Sequence, residues 1–247
     1  MSGMTFFAGP NGIRIHQIAM RALPGLIAHA YVVIDGDYAA LIDTGSDSET
    51  SVADLDAGVA ALRTERNETL EWGDLKRIII THAHIDHYGG LDFVRARSAA
   101  PIAVHALDLP VLRDHRAAVA ARTEALAAFL RAAGVDSSVR ERLGSLYQSN
   151  GTELVGWDVA QVLADGDTID GRFAVIHTPG HCAGQVCLRL GDVLFSADHI
   201  MAQTNPRLTP AYLEPHNGLA AYLDALDRVA AQPGLRLALA GHEAPIE

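Results

Sequence analysis

A cluster of metal-binding side chains directly follows the apolar run 78–80, and it restricts the fold more than any other feature. Four potential ligands lie within six positions: His82, His84, Asp86 and His87. The apolar run is typical of a buried strand, and the glycine pair at 89–90 indicates a turn. The ligands are therefore predicted to lie where a strand ends and the chain turns, a position at which a metal site can be built.

The spacing within this cluster predicts two metal ions rather than one. Side chains alternate in an extended segment, so His82 and His84 project to the same side. Asp86 and His87 follow as the chain turns toward the glycine pair. They form a second group of ligands that points to a nearby but distinct position.

Three later apolar runs also end in a potential ligand. Residues 174–181 form a strand pattern, then a Pro-Gly turn, then His181. Residues 193–198 end in Asp198, and residues 237–242 end in Gly-His with His242 last. This pattern is expected when several strands of one sheet deliver their ends to a common edge.

Together these ordered motifs resemble the metallo-β-lactamase superfamily, in its glyoxalase II-like and lactamase-beta-2-like branch, from about Gly25 to the end of the chain. A single His-x-His pair is common by chance, whereas His-x-His-x-Asp-His followed by three ordered ligands is specific. The resemblance implies a first metal held by His82, His84 and His181, a second held by Asp86, His87 and His242, and Asp198 bridging both ions. It also implies that Asp43, in the early strand 40–45, supports a metal-bound histidine from behind.

The fold implied by the resemblance is an α/β fold, a four-layer αββα sandwich with the metals at one edge. We expect a single domain over residues 1–247, with a helical insertion at about 106–160. The predicted strands are 30–34, 39–43, 77–80, 102–105, 173–177, 186–190, 193–196 and 235–239. The predicted helices are 48–66, 90–97, a long central stretch and 219–231.

The central stretch is predicted to contain two helices. Residues 110–133 are apolar at the i, i+3, i+4, i+7 spacing of one helix face, Gly134 ends that helix, and a second helix spans 137–148. We expect this insertion to form a lid or wall over the metals, lined by Phe129, Leu130 and Tyr147. A helical hairpin with no role in substrate binding is the alternative.

The ligand set predicts hydrolytic chemistry. Imidazole and carboxylate suit zinc first, with iron and manganese as alternatives. Two such divalent ions about 3.5 to 4 Å apart hold a bridging hydroxide that attacks a carbonyl. We expect cleavage of a small-molecule ester, thioester or lactone, with Asp86 orienting the hydroxide and passing a proton to the leaving group.

Other activities stay open at this point. A redox enzyme similar to the mono-iron persulfide dioxygenases is the main alternative, and a non-catalytic metal-binding relative is less consistent with a complete ligand set. The glutathione-thioester hydrolases of the family carry a C-terminal helical extension, whereas this chain ends five residues after His242. Glutathione thioesters are therefore expected to be poorer candidates than other thioesters or lactones.

Composition restricts the partners and the compartment. The net charge is −11, so a nucleic-acid surface of clustered Lys and Arg is not expected. No stretch approaches the roughly 20 apolar residues of a membrane span, and the first residues do not resemble a secretory signal. We expect a cytoplasmic protein with a small-molecule substrate, and a homodimer stays open.

The remaining histidines and the two cysteines are not predicted as ligands. Three of the histidines flank the motif strands: His105, His177 and His199. Four have no ligand partner at a useful spacing: His16, His29, His115 and His216. Cys182 directly follows His181, but a small apolar filler is the better interpretation. Cys182 and Cys187 would point to opposite faces of a strand, so no disulfide is expected between them.

Overall fold

The first half of the chain builds a seven-stranded sheet. In this computed structural model, which describes residues 4–148, 154 and 156–247, the strands lie side by side in chain order. They are β1 (Met4–Ala8), β2 (Arg14–Leu23), β3 (Leu26–Asp35), β4 (Tyr38–Ile42), β5 (Arg77–Ile79), β6 (Ile102–His105) and β7 (Gln161–Leu163). Pairing is antiparallel from β1 to β4 and parallel from β4 to β7. The ligand cluster at 82–87 thus follows one of the parallel strands.

The second half builds a five-stranded sheet in the order β12-β11-β10-β9-β8. Its strands are β8 (Thr168–Ile169), β9 (Phe173–His177), β10 (Val186–Leu190), β11 (Val193–Ala197) and β12 (Leu237–Ala240). Only β11 and β12 pair in parallel. Their carboxyl ends therefore lie at the same edge, where Asp198 and His242 follow.

Seven α-helices connect the strands in the described part of the chain. They are α1 (Glu49–Arg66), α2 (Ile85–Tyr88), α3 (Leu91–Arg95), α4 (Leu109–Arg113), α5 (His115–Ala132), α6 (Ser137–Gln148) and α7 (Leu219–Ala230). Helix α1 begins where expected because Ser48 caps it, accepting a hydrogen bond from the Ser51 N–H. No described helix combines the length and the apolar character that crossing a membrane requires.

Apolar contacts arrange these elements in four layers. The facing surfaces of the two sheets form one core that includes Ile15, Val33, Ile42, Ile79, Phe173, Leu188, Phe195 and Leu239. The outer face of the first sheet packs against helical residues such as Leu55, Leu62 and Leu91, and that of the second sheet packs against Val229. Burying one such aliphatic side chain contributes about 1.5–3 kcal/mol. The α/β sandwich implied by the motifs is confirmed.

An ion pair joins the two sheets at the start of β5, the end opposite to the one that the ligand cluster follows. Asp170, beside β8, lies 2.6 Å from Nη2 of Arg77 in β5 and accepts a hydrogen bond of 2.8 Å from the Tyr38 hydroxyl. The hydrogen bond from Arg77, above all, holds the pKa of Asp170 below its ordinary value. Asp170 is thus a carboxylate with a purely structural environment.

Strand β2 was not predicted, and its burial explains why. Strands exposed on one face alternate apolar and polar residues, but β2 lies between the second sheet and α1 and is buried on both faces. Its polar side chains find partners inside: His16 lies 3.1 Å from Glu68, and Gln17 lies 2.9 Å from His29. The short strands β1, β7 and β8 were also missed.

Candidate metal centre

Five chain segments meet at one edge of the sandwich. His82 and His84 lie between β5 and α2, and α2 carries Asp86 and His87. The other three come from the second sheet: His181 lies in the β9–β10 loop, Asp198 directly follows β11, and His242 follows β12. The structure thus brings all seven predicted ligands together. The turn expected at Asp86 and His87 is a single helical turn, with His84 as its N-cap residue.

Among the described residues the ligand atoms form three groups, and one of them, made by His82, His87 and Asp198, overlaps the other two. His82, His84 and His181 each offer one ring nitrogen within 4.8 Å of the others, and so do the ligand atoms of Asp86, His87 and His242. In the first triad, Nε2 of His82 lies 3.1 Å from Nδ1 of His84. These are the two triads that the resemblance implied.

Asp198 lies between the two triads. Its Oδ2 is 3.4 Å from Nε2 of His181 in the first triad and 3.3 Å from Nε2 of His242 in the second. Its Oδ1 is 3.3 Å from Nε2 of His87. One carboxylate therefore faces both groups, which is the geometry that a bridging ligand needs.

Unsatisfied buried atoms test whether the site fits metal ions. Among the described residues, Nε2 of His87, Nε2 of His181 and Oδ1 of Asp198 are buried without a hydrogen-bond partner. An unsatisfied buried polar atom costs about 1–3 kcal/mol, so such atoms converging on one point indicate a missing partner. A set of imidazole and carboxylate donors suits zinc, iron or manganese. The residues present therefore fit divalent metal ions.

Contacts behind the histidines orient their rings. Nδ1 of His87 lies 2.9 Å from Asp43, the carboxylate that the resemblance placed behind a metal-bound histidine. His181 donates from Nδ1 to the Arg207 carbonyl at 2.7 Å, and His242 donates from Nδ1 to the Ile27 carbonyl at 2.5 Å. Such contacts leave the opposite nitrogen of each ring directed at the centre.

The charges at the centre favour cations. Burial, with repulsion from neighbouring histidines, holds the pKa of His82 and of His84 well below the ordinary value. Both imidazole rings are therefore neutral, the form that can bind a metal ion. Burial would raise the pKa of Asp198, but the charge of His87 and the hydrogen bonds with the surrounding histidines together outweigh it and hold that pKa well below its usual range. Burial lowers the pKa of His242, yet hydrogen bonds with Asp198 and a second carboxylate raise it to about 10. These buried carboxylates stabilise positive charge beside them.

A cleft of about 820 Å³ lies over the centre. Apolar side chains from the β2–β3 hairpin and from the insertion form much of its wall: Leu23, Leu26, Ile27, Val111, Ala118 and Val119. Arg122 of α5 also lines it and pairs with Glu214 at 2.8 Å between Nε and Oε1. The cleft thus combines an apolar wall with polar groups near the ligands.

The predicted lining residues need correction. Phe129 and Leu130 are not among the cleft residues, because the cleft faces the N-terminal half of α5. The Phe129 ring instead packs against Tyr212, with 5.2 Å between ring centroids. The side chain of Tyr147 lies outside the described residues. The periodic pattern identified the helix but not which of its turns faces the cleft.

The structure also identifies cleft residues that sequence analysis missed. Tyr88 and His115 both line the cleft and share a hydrogen bond between the Tyr88 hydroxyl and Nδ1 of His115. Arg122 was missed because its position on α5 resembles any exposed helical arginine. For Tyr88, the available sequence signal was its position directly after the predicted ligand His87.

The other histidines stay outside the centre. Among the described residues, none of them joins a group of three potential metal ligands. His105 and His177 stack on each other at 4.0 Å between centroids, and His199 packs against Tyr222. Their exclusion from the ligand set agrees with the geometry.

Cys182→Ser is expected to leave the metal content unchanged. Cys182 is fully buried, and its Sγ lies 3.4 Å from both carboxylate oxygens of Asp108, away from the ligand groups. Serine keeps a donor for Asp108 at nearly the same volume. Elemental analysis of the purified variant beside the wild type checks this result, and loss of one ion would show that the thiol is a ligand.

The family follows from comparison with known proteins. A family model described as "Metallo-beta-lactamase superfamily" matches residues 23–242. The chain belongs to this superfamily. The resemblance inferred from the motifs is thereby confirmed.

Curated relatives of this superfamily member are distant. It is 24% identical over 185 residues to the "Probable metallo-hydrolase YflN" of Bacillus subtilis, covering 70% of this chain and 66% of that protein. It is 26% identical over 212 residues to a hydroxyacylglutathione hydrolase of Cereibacter sphaeroides, covering 85% and 64%. The chain thus spans slightly less than two thirds of the length of these relatives.

Solved structures share the fold of this superfamily member. A metallo-beta-lactamase family protein of Thermus thermophilus matches with a TM-score of 0.75 at 24% identity, covering 94% of this chain and 74% of that one. A subclass B3 metallo-beta-lactamase from a soil metagenome library matches with a TM-score of 0.62 at 20% identity, covering 96% and 78%. At this level of identity the likeness establishes the fold alone.

Proposed function

We propose that this chain is a dinuclear metal-dependent hydrolase that cleaves an ester, thioester or lactone bond of a small molecule. The observation that carries the proposal is Asp198, whose carboxylate lies 3.3–3.4 Å from ligand atoms of both triads. The names of two relatives, a probable metallo-hydrolase and a hydroxyacylglutathione hydrolase, support the same reaction class.

The two triads would hold one divalent ion each, with Asp198 shared. Zinc is our first choice, and iron or manganese are the alternatives. Ions bound there would lower the pKa of a shared water and polarise a carbonyl oxygen. The apolar wall of the cleft would hold the rest of the substrate and exclude bulk water.

Asp86 is the proposed acid–base residue. It lines the cleft, and its Oδ2 lies 3.4 Å from Nε2 of His242. Burial would raise its pKa, but the charge of His87 and the hydrogen bond with His242 hold that pKa below its ordinary value. Asp86 is therefore ionised at neutral pH, so it would accept a hydrogen bond from the attacking water, orient it and pass the proton to the leaving group.

A substrate panel on metal-loaded protein tests the function. It contains p-nitrophenyl esters, acyl thioesters including a glutathione thioester, homoserine lactones and phosphodiesters, with metal analysis of the same sample. We expect turnover in the first three classes and little with phosphodiesters, because a chain with a net charge of −11 repels polyanionic nucleic acid. Iron in a single site, with oxidation of a persulfide, would instead support the dioxygenase-like alternative.

We also propose that the insertion selects the acyl group. Val119→Trp is expected to lower kcat/KM for long acyl chains relative to short ones by roughly 10-fold, because indole fills part of the apolar wall. The matched control is Ala120→Trp, whose side chain is exposed on the same helix. An acyl-length series measures the effect, and an unchanged ranking with Val119→Trp would mean that the wall does not select.

These substitutions test the wall better than deleting the insertion. Replacing residues 108–157 by a linker would remove Leu112 and Trp157, both part of the core. Trp157 also donates from its indole N–H to Asp92 at 2.6 Å. An altered substrate preference after such a deletion could therefore result from loss of core packing rather than from loss of the apolar wall.

A further inference from the structure

Asp108 is a buried carboxylate whose described side-chain hydrogen bonds come from the two loops that carry the ligands of the first triad. It stands at the start of the insertion, immediately before α4, and it is only 1% exposed. An aspartate at a helix N-cap normally accepts from the helix N–H groups, but the Asp108 side chain makes no such bond. Its acceptor atoms are directed elsewhere.

Each carboxylate oxygen of Asp108 binds a different loop. Oδ2 accepts a hydrogen bond of 2.7 Å from the backbone N–H of Ala83, which lies between His82 and His84. Oδ1 accepts one of 2.9 Å from the backbone N–H of Gly184, three residues after His181. One side chain thus joins the two segments that deliver the first triad.

The close approach also depends on a glycine. A Cβ added at Gly184 would lie 2.4 Å from Cγ of Asp108, well inside contact distance. The loop after His181 can therefore approach the carboxylate only without a side chain at that position. Cys182 completes the arrangement with its Sγ 3.4 Å from both oxygens.

A different carboxylate, Asp43, contacts a ligand of the second triad. Asp43 accepts from the Thr81 backbone N–H at 2.8 Å and from the Thr81 hydroxyl at 2.7 Å, and it contacts His87. Asp108 makes none of these contacts. Asp43 thus contacts a ligand of the second triad directly and reaches the first triad through Thr81, whose hydroxyl lies 3.2 Å from Nδ1 of His82. The described side-chain hydrogen bonds of Asp108, by contrast, come only from the loops that carry the first triad.

From this geometry we infer that Asp108 is a positioning residue for the first metal, holding His82, His84 and His181 in a common ligand geometry. The inference rests on the proposed function only in requiring that the two triads bind ions. The two oxygens of an aspartate accept one hydrogen bond from each backbone N–H group. An asparagine has only one oxygen, so its NH₂ group would face the second backbone N–H, and two donors cannot form a hydrogen bond with each other. Loss of either bond frees one ligand loop.

Asp108→Asn tests the inference through metal affinity at each triad. In a His242→Ala background, which disrupts the second triad, zinc affinity measured by competition with a chromophoric chelator reports the first triad. We expect Asp108→Asn to lower that affinity 10- to 100-fold, the usual effect of losing an outer support of a metal site. In a His84→Ala background, which disrupts the first triad, zinc affinity reports the second triad. There we expect Asp108→Asn to change the affinity by less than about 3-fold, because Asp108 does not support the ligands that remain.

The control is Asp170→Asn, since Asp170 is also a hydrogen-bonded carboxylate but lies in the ion pair with Arg77. We expect it to leave both affinities unchanged. Equal losses at both triads with Asp108→Asn would mean general destabilisation, and no loss at the first triad would mean that Asp108 does not position it. Either result overturns the inference.

Gly184→Ala provides the second variant if Asp108→Asn does not fold. It keeps the carboxylate but pushes the loop of His181 away from it, so the same selective loss at the first triad is expected; an unchanged affinity there overturns the inference. Because the readout is metal affinity, a chain that shows this pattern but hydrolyses nothing in the panel would contradict the proposed function and leave the role of Asp108 intact.

Discussion

Asp198→Asn is expected to lower turnover by roughly 100-fold or more. That corresponds to about 3 kcal/mol of transition-state stabilisation, comparable to removing an oxyanion-hole donor. The reason is electrostatic: an amide cannot supply the negative charge that holds two cations close together, and Asp198 is the side chain that faces both triads. Steady-state kcat with the best substrate of the panel measures the effect.

The control for Asp198→Asn is Asp192→Asn. Asp192 lies on the same β-hairpin of the second sheet, pairs with Arg236 at 2.9 Å and takes no part in the ligand groups. Its variant is expected to keep wild-type turnover. Near-wild-type turnover by Asp198→Asn would remove that residue from the bridging role.

The native chain is expected to bind two transition-metal ions, and their removal by a chelator should abolish hydrolysis. Two complete triads and the unsatisfied ligand atoms of His87, His181 and Asp198 motivate this number. Elemental analysis after careful loading with zinc measures it. His242→Ala should reduce the content to one ion, because it removes a ligand of the second triad.

The matched control for His242→Ala is His105→Ala, since His105 is a buried histidine that stacks on His177 and joins no ligand group. It should keep two ions per chain. A wild-type content of no more than one ion would count against the dinuclear mechanism, and a single iron would favour the dioxygenase-like alternative.

Most of the candidate centre was predictable because its signals are local. Candidate ligands such as Asp198 and His242 come at the ends of apolar runs. Because each run forms a strand that ends at the edge of the sheet, the residue that follows the strand lies at that edge. The eight predicted strands correspond to observed ones with shifts of a few residues at their ends. Strand β2 was missed because it has no exposed face and therefore no period of two.

The sequence by itself thus determined the candidate ligand residues and their order, and through the family resemblance the sandwich that carries them. Only the tertiary structure decided which side chains surround the ligands. Asp108 accepts hydrogen bonds from residues 25 and 76 positions away in the chain. Arg122 of α5 forms an ion pair with Glu214, which is also distant in the chain. Periodicity reports which face of an element is buried but not what it meets, since that depends on how distant segments pack.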